Sequence, residues 1–214
     1  MSHTQLSFLD KCCLSLDVAL RTLSGHPKTT QRRSPASSIV KSDLTPEEAR
    51  QTIGLMRINH CGEVCAQALY QGQAMTAKLV EVKKNMELAA LEENDHLAWC
   101  RHRVEELGSH TSYLDPFFYL GSFTIGSIAG LIGDKWSLGF VAETEQQVVR
   151  HLEEHLSKLP ATDAQSKAIL ETMREDEHQH AVNALAAGGA ELPQAIQKWM
   201  RLTSKLMTHT TYYI

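Results

Sequence analysis

Two stretches of this chain set a glutamate and, three residues later, a histidine inside an otherwise apolar helical stripe. One stripe reads Met86, Ala89, Glu93, His96, Cys100, Val104, Leu107; the other reads Ile169, Met173, Glu177, His180, Ala184. Steps of three and four keep such residues on one face of an α-helix. An ionised carboxylate is almost never buried without a partner, because desolvation costs several kcal/mol or more per charge. Whatever these stripes pack against must therefore compensate an acid and an imidazole on each. No other feature limits the fold so strongly.

Two further stripes carry the same anomaly in reduced form. They are Ile53, Met56, His60, Glu63, Ala66, Tyr70 and Leu138, Val141, Glu145, Val148, Leu152, Leu156, each with one glutamate in its middle. Glu143 falls off the second, toward Trp136, Gln147 and Arg150. The Glu-x-x-His spacing alone is a weak signal: with 17 Glu and 11 His among 214 residues, about one match arises from composition. A third match, Glu175/His178, follows Lys167 and Glu171 along a solvated face. The apolar setting separates the other two from it.

Register then brings the four stripes together. In an antiparallel helix pair, residues equidistant from the connecting turn share a level. Glu63 and Glu93 are centred on Lys78, Glu145 and Glu177 on Ala161, and both midpoints fall in expected turns. The reading is all-α: a four-helix bundle in which Glu63, Glu93, His96, Glu145, Glu177 and His180 meet at one depth. One Glu from each of two helices and Glu-x-x-His from each of two others is the dinuclear carboxylate pattern. Oxygen ligands with two imidazoles suit Fe or Mn better than a closed zinc site. Cys61 and Cys65, one turn apart beside His60, admit a zinc reading, but small buried cysteines commonly fill apolar space. His60 and His151 are left outside the site.

Composition supports helices and excludes several classes. Aromatic residues are 6%, Gly 12 and Pro 6, with 43% hydrophobic and 21% charged residues, so collagen-like, disulfide-scaffold and disordered chains are out. A net charge of −4 argues against nucleic acid as a partner. Five cysteines without a Cys-x-x-Cys pair suggest a reducing compartment. Asp10 and Lys11 break the only early apolar stretch, so no signal peptide is expected.

Along the chain, Leu6, Leu9, Cys13, Leu16, Leu20 and Leu23 form an amphipathic seam expected to pack on the main domain. Residues 28–38 read as a basic, mobile linker, and residues 1–41 together as an N-terminal unit ahead of a bundle spanning 42–214. Thr45-Pro46-Glu47-Glu48 starts a helix to about 76, and another spans about 80–107. Ser109–Pro116 is a loop. Residues 117–133 then carry no charge in seventeen positions, four of them glycine, which is short for a span of about 20 residues. A buried helix with close glycine contacts, or a segment dipping into one leaflet, fits. Helices follow over about 136–158, from a capping box at Thr162-Asp163-Ala164-Gln165 to Gly188, and from Pro193 to about Met207.

The stretches LMRINHCGEVCAQALYQGQ, LEENDHLAWC, SLGFVAETEQQV and MREDEHQHA resemble the bacterial di-iron demethoxyubiquinone hydroxylases over nearly the whole chain. That resemblance implies a ferritin-like bundle with added N-terminal, short apolar and C-terminal helices. It implies two Fe ions per chain on Glu63, Glu93, His96, Glu145, Glu177 and His180, with Glu93 and Glu177 as bridges. It implies an O2-dependent monooxygenase acting on the ring of 2-polyprenyl-3-methyl-6-methoxy-1,4-benzoquinol. Electrons come from NADH, a reductase or the quinol itself; no glycine-rich nucleotide fingerprint is present. A polyprenyl substrate implies peripheral contact with the cytoplasmic face of the cell membrane, through residues 117–133 and through Arg21, Lys28, Arg32 and Arg33. A homo-oligomer is compatible with all of this. Ferritin-like iron storage and a di-iron peroxidase are the alternatives.

Overall fold

The computed structural model describes residues 7–214, with the side chains of Phe8, Lys11, Cys12, Glu81 and Lys83 outside the described set; Leu6 also lies outside it. Seven α-helices account for nearly all of the described chain: α1 (Phe8–Ser24), α2 (Pro46–Thr76), α3 (Val80–Glu106), α4 (Asp115–Ile132), α5 (Asp134–Lys158), α6 (Ala164–Ala186) and α7 (Gln194–Thr211). A single 3-10 turn covers Pro35–Ser38, and no strand occurs among the described residues.

Local chemistry sets the helix ends. Thr45 caps α2 by accepting from the Glu48 amide, and the Glu48 carboxylate accepts from the Thr45 amide at 2.8 Å, a reciprocal pairing that satisfies two orphan donors. The start of α6 differs from expectation by one residue. Asp163, not Thr162, is the cap: it accepts from the Ser166 amide at 3.0 Å, while the Thr162 hydroxyl turns to Glu48. Asp163 is fully buried, where it also receives Arg103 at 2.9 Å and the Thr52 hydroxyl at 2.9 Å. A carboxylate meets that ion pair and a hydroxyl cannot. The 109–116 loop is shorter than expected, because α4 begins at Asp115.

α2–α3 and α5–α6 form two antiparallel hairpins. Their turns run over Ala77–Leu79 and Leu159–Asp163, around Lys78 and Ala161. The Asp134 carboxylate accepts from the Lys78 and Leu79 amides at 3.0 and 2.9 Å, tying the first turn to the start of α5. Two apolar clusters fill the bundle, one around Met56, Cys100, Leu152 and Met173 and the other around Ala66, Met86, Leu138 and Ala184. The four polar stripes cross between them.

α4 lies along α2 on the far side from the bundle interior. A Cβ at Gly126 would strike the Leu69 carbonyl, and one at Gly130 would strike the Thr76 hydroxyl. Only glycine lets the two backbones approach this closely. The opposite face of α4 is bare: Phe117 is 75% and Leu120 66% exposed, with Ile128 and Leu131 also exposed. No helix among the described residues is long and apolar enough to cross a membrane.

The N-terminal segment departs from the sequence reading twice. The seam of α1 does not pack on the main domain: Leu9, Leu16 and Leu20 are 73%, 60% and 58% exposed, and Cys13 is exposed. Of that seam Leu23 alone packs in a core cluster, joining Ala19 of the neighbouring face against Val64, Ala68 and Tyr119. α1 meets α2 through Gln71, which donates to the Ser15 carbonyl at 2.7 Å. The basic linker is strapped rather than free. Thr30 donates to Asp95, the Lys28 carbonyl accepts from Asn94, Arg32 pairs with Asp176, and Ala36 is buried in the core. Buried polar groups on α3 and α6 need partners, and the linker provides them.

Candidate metal centre

The six side chains singled out from the sequence come together at one level of the bundle, and all six are buried. Glu63, Glu93, His96 and Glu177 each present one ligand atom within 4.8 Å of the others, a group that can hold a metal ion. His180 Nδ1 lies 3.2 Å from Glu93 and 3.2 Å from Glu177. His96 Nδ1 lies 3.3 Å from Glu93 and 2.9 Å from Glu177. Glu93 and Glu177 therefore each stand between the two imidazoles. Glu145 completes the ring from α5, its Oε1 accepting from the Tyr70 hydroxyl at 2.6 Å.

Electrostatics show how much charge is crowded here. Burial pushes Glu63 well above the ordinary carboxylate range, and Glu93 adds to the push. Glu145 is raised in the same way, by burial and then by Glu177 and Glu93. Burial would raise Glu93 too, but His180 and His96 hold it below its ordinary value. Burial would lower both imidazoles; carboxylates overcome it, raising His180 to about 12 through Glu177 and Glu93, and His96 well up through Asp176 and Glu177. Like charges this close disfavour ionisation unless a cation joins them.

Glu145 Oε2 is buried without a hydrogen-bond partner, and Glu93 Oε1 and Glu177 Oε1 face only an imidazole nitrogen of the same ring, at 3.2 and 2.9 Å. An unpartnered buried oxygen is rare in a folded chain, and an ion is one of the few things that satisfies it. Four carboxylates and two imidazoles make a hard, anionic donor set suited to divalent or trivalent iron or manganese. The residues present fit a bound metal.

Outside this ring the imidazoles find a second set of acids. His96 Nε2 lies 2.9 Å from Asp176, and His180 Nε2 lies 2.6 Å from Glu92. The pairing is crossed: the acid preceding Glu177 on α6 holds the imidazole of α3, and the acid preceding Glu93 on α3 holds the imidazole of α6. Such partners fix the tautomer and raise ligand basicity. Sequence reasoning missed them, although an acid directly before each Glu-x-x-His was a visible signal. Arg32, assigned from the sequence to membrane contact, instead pairs with Asp176 and lies 4.7 Å over the Trp99 ring.

Other candidates fall elsewhere. Glu175 and His178 are exposed. Glu143 pairs with Gln147 and Arg150, away from the ring. His60 lies 3.2 Å from Asp115 of α4, and Cys61 and Cys65 face the same side, toward Asp115 and Ser122. His151 packs against His155, the rings tilted by 59°. A groove of about 1030 Å³ between α2, α5 and α7 contains none of the six.

In fold class this all-helical bundle is ferritin-like. A dodecameric thioferritin, the bacterioferritin-related protein from Bacteroides fragilis, shares the fold at a TM-score of 0.53, with 17% identity over 65% of this chain and 86% of that one. Within this class the chain belongs to the family described as "Ubiquinone biosynthesis protein COQ7", whose model matches residues 50–211. It is 59% identical, over the full length of both, to a protein of Nitrosococcus oceani named 3-demethoxyubiquinol 3-hydroxylase. Proteins of that name from Ectopseudomonas mendocina and Acinetobacter baumannii are 58% and 55% identical, over 100% and 96% of this chain and 99% and 97% of theirs.

Proposed function

We propose that this chain is a 3-demethoxyubiquinol 3-hydroxylase, an oxidoreductase that hydroxylates the ring of a 2-polyprenyl-3-methyl-6-methoxy-1,4-benzoquinol in ubiquinone biosynthesis. The observation that carries the reading is a buried ring of four carboxylates and two imidazoles, with Glu145 Oε2 left unpartnered, in a chain matched from end to end by enzymes of that name. Glu63, Glu93, His96, Glu145, Glu177 and His180 would hold two irons per chain, whose chemistry when bound is the activation of O2 and delivery of one oxygen atom to the ring.

The chain's own residues prepare that chemistry. Glu93 and Glu177 each face both imidazoles, which suits them to a place between two ions. Tyr70 fixes Glu145, and burial followed by that carboxylate keeps the phenol protonated and therefore a donor. Asp176 and Glu92 orient the imidazoles from outside. Apolar clusters on either side keep water away, so electrostatic interactions within the ring are strong.

The substrate's tail gives the bare face of α4 a role. Peripheral membrane contact through Phe117, Leu120, Ile128 and Leu131, aided by the exposed leucines of α1, accounts for these apolar surfaces. Basic attraction falls to Lys28 and Arg33, because Arg21 pairs with Asp17 and Arg32 with Asp176. On this reading the protein sits peripherally on the cytoplasmic face of the cell membrane.

The deciding experiment is aerobic turnover of a demethoxy-quinol by the iron-loaded chain under 18O2. Separate arms supply electrons as NADH, through a reductase, or from the quinol alone. One labelled oxygen in the product is expected; absence of hydroxylated product in every arm refutes the reading. Flotation with anionic liposomes checks the membrane contact, which Leu120→Asp with Ile128→Asp should abolish.

A further inference from the structure

We propose that the crevice between α1 and the α2–α3 hairpin is the quinol's binding site, with the ring inward against Gln67, Asn94 and Tyr70. The tail would run outward past Leu14, Val18 and Met75. This rests on the function proposed above and adds where, and by which residues, the substrate is held.

Size and lining come first. The crevice encloses about 510 Å³, within the usual range for a small-ligand site. Its walls are mostly apolar, with Val18 from α1, Ala74 and Met75 from α2, and Ala90 and Leu91 from α3. The larger groove beside α7 is lined by Arg50, Arg57, Arg150, Lys158, Arg201 and Lys205, a poor match for an isoprenoid chain.

Depth comes second. The crevice reaches Tyr70, whose hydroxyl donates to Glu145 of the ring. Gln67 is one helical turn from Glu63, a rise of about 6 Å, and Asn94 follows Glu93 directly. Both belong to helices that carry the ring.

The third observation concerns hydrogen bonding. Gln67 Oε1 and Asn94 Oδ1 have no partner, although the two residues are only 3% and 5% exposed. Asn94 is held at its other end, where its amide nitrogen donates to the Lys28 carbonyl at 2.9 Å. Two buried acceptors at the bottom of an apolar slot want two donors. A quinol ring carries two hydroxyls.

The roof of the site lies outside the part of the chain that the family model matches, since that match begins at residue 50 and α1 ends at Ser24. Gln71 latches it down through the Ser15 carbonyl and hydroxyl, at 2.7 and 2.9 Å. Substitutions in α1 should therefore act on substrate binding.

Equilibrium dialysis of decylubiquinol, kept reduced under anaerobic conditions, against the full, metal-free chain tests this directly, with helicity checked by circular dichroism. Val18→Trp narrows the crevice from the roof, and Met75→Trp does so from a half-exposed position on the opposite wall. Each should raise Kd at least about tenfold, and Gln67→Leu about fivefold, the effect of one hydrogen bond. No binding by the unmodified chain, or an unchanged Kd in both tryptophan variants, overturns the proposal. Palmitate competing as well as the quinol, with Gln67→Leu silent, overturns the placement of the ring. Turnover separates the two readings. Hydroxylation with an unchanged KM in both tryptophan variants sinks the crevice and leaves the function standing. Binding with the stated sensitivities but no hydroxylation by the iron-loaded chain does the reverse.

Discussion

The two imidazoles of the ring share a motif but not their surroundings. His96 is fully buried, and its outer acid, Asp176, is clamped by Arg32, which itself lies on Trp99. Thr30 and Lys28 fasten the same strap to Asp95 and Asn94. His180 retains some exposure, its outer acid Glu92 is about half exposed, and a cavity of about 330 Å³ opens beside them and Tyr70. One face of the centre is sealed by the N-terminal segment; the other opens toward solvent. An internally repeated motif thus acquires direction from an element that does not take part in the repeat.

The comparison can be broken outright at Glu177, which serves both faces. Glu177→Ala should abolish hydroxylation, by about 1000-fold or more, and lower the iron bound per chain. Metal analysis alongside turnover checks it; retention of full activity would remove Glu177 from the site. The outer acids then sharpen the contrast. Asp176→Asn on the sealed face should weaken metal affinity by about 10- to 100-fold, as loss of an oriented partner does. Glu92→Gln on the open face should cost about three- to fivefold, because solvent screens a half-exposed pair. Equal effects for the two would show that the faces do not differ in this way.

A last prediction touches neither face and calibrates stability. His155 is buried against Asn59, and burial followed by His151 holds its pKa down at about 2, against an ordinary 6.5. The unfolded chain takes up that proton as pH falls through 6.5 and the folded chain does not. Stability present at neutral pH is therefore lost on acidification, by about 0.7 kcal/mol between pH 7 and 6. His155→Gln should remove that increment from the difference between urea midpoints at the two pH values.

The ring was legible because buried charge is costly. Glu63, Glu93, Glu145 and Glu177 stood out as acids inside apolar periodicity, and the turns at Lys78 and Ala161 put them at one depth. The same periodicity misled at α1. Leu9, Leu16, Leu20 and Leu23 make an apolar stripe, but which part of a helix meets the bundle depends on what the bundle offers, and here Leu23, with Ala19 beside the stripe, found the contact while the other three stayed exposed. The strap was misread for a related reason. Basic composition describes how a free segment behaves, whereas Asp95, Asn94 and Asp176 are buried or half-buried groups that required partners.

The sequence by itself determined the helices, their polar interruptions and the level at which those interruptions meet, because helical period, capping and desolvation are local rules. Only the tertiary structure decided that Asp176 serves His96 and Glu92 serves His180, that Arg32 closes one face, and that α1 roofs a crevice ending at Tyr70. Those outcomes depend on which surfaces lie opposite one another across helix interfaces. Spacing along one helix carries no information about the residue facing it from the next.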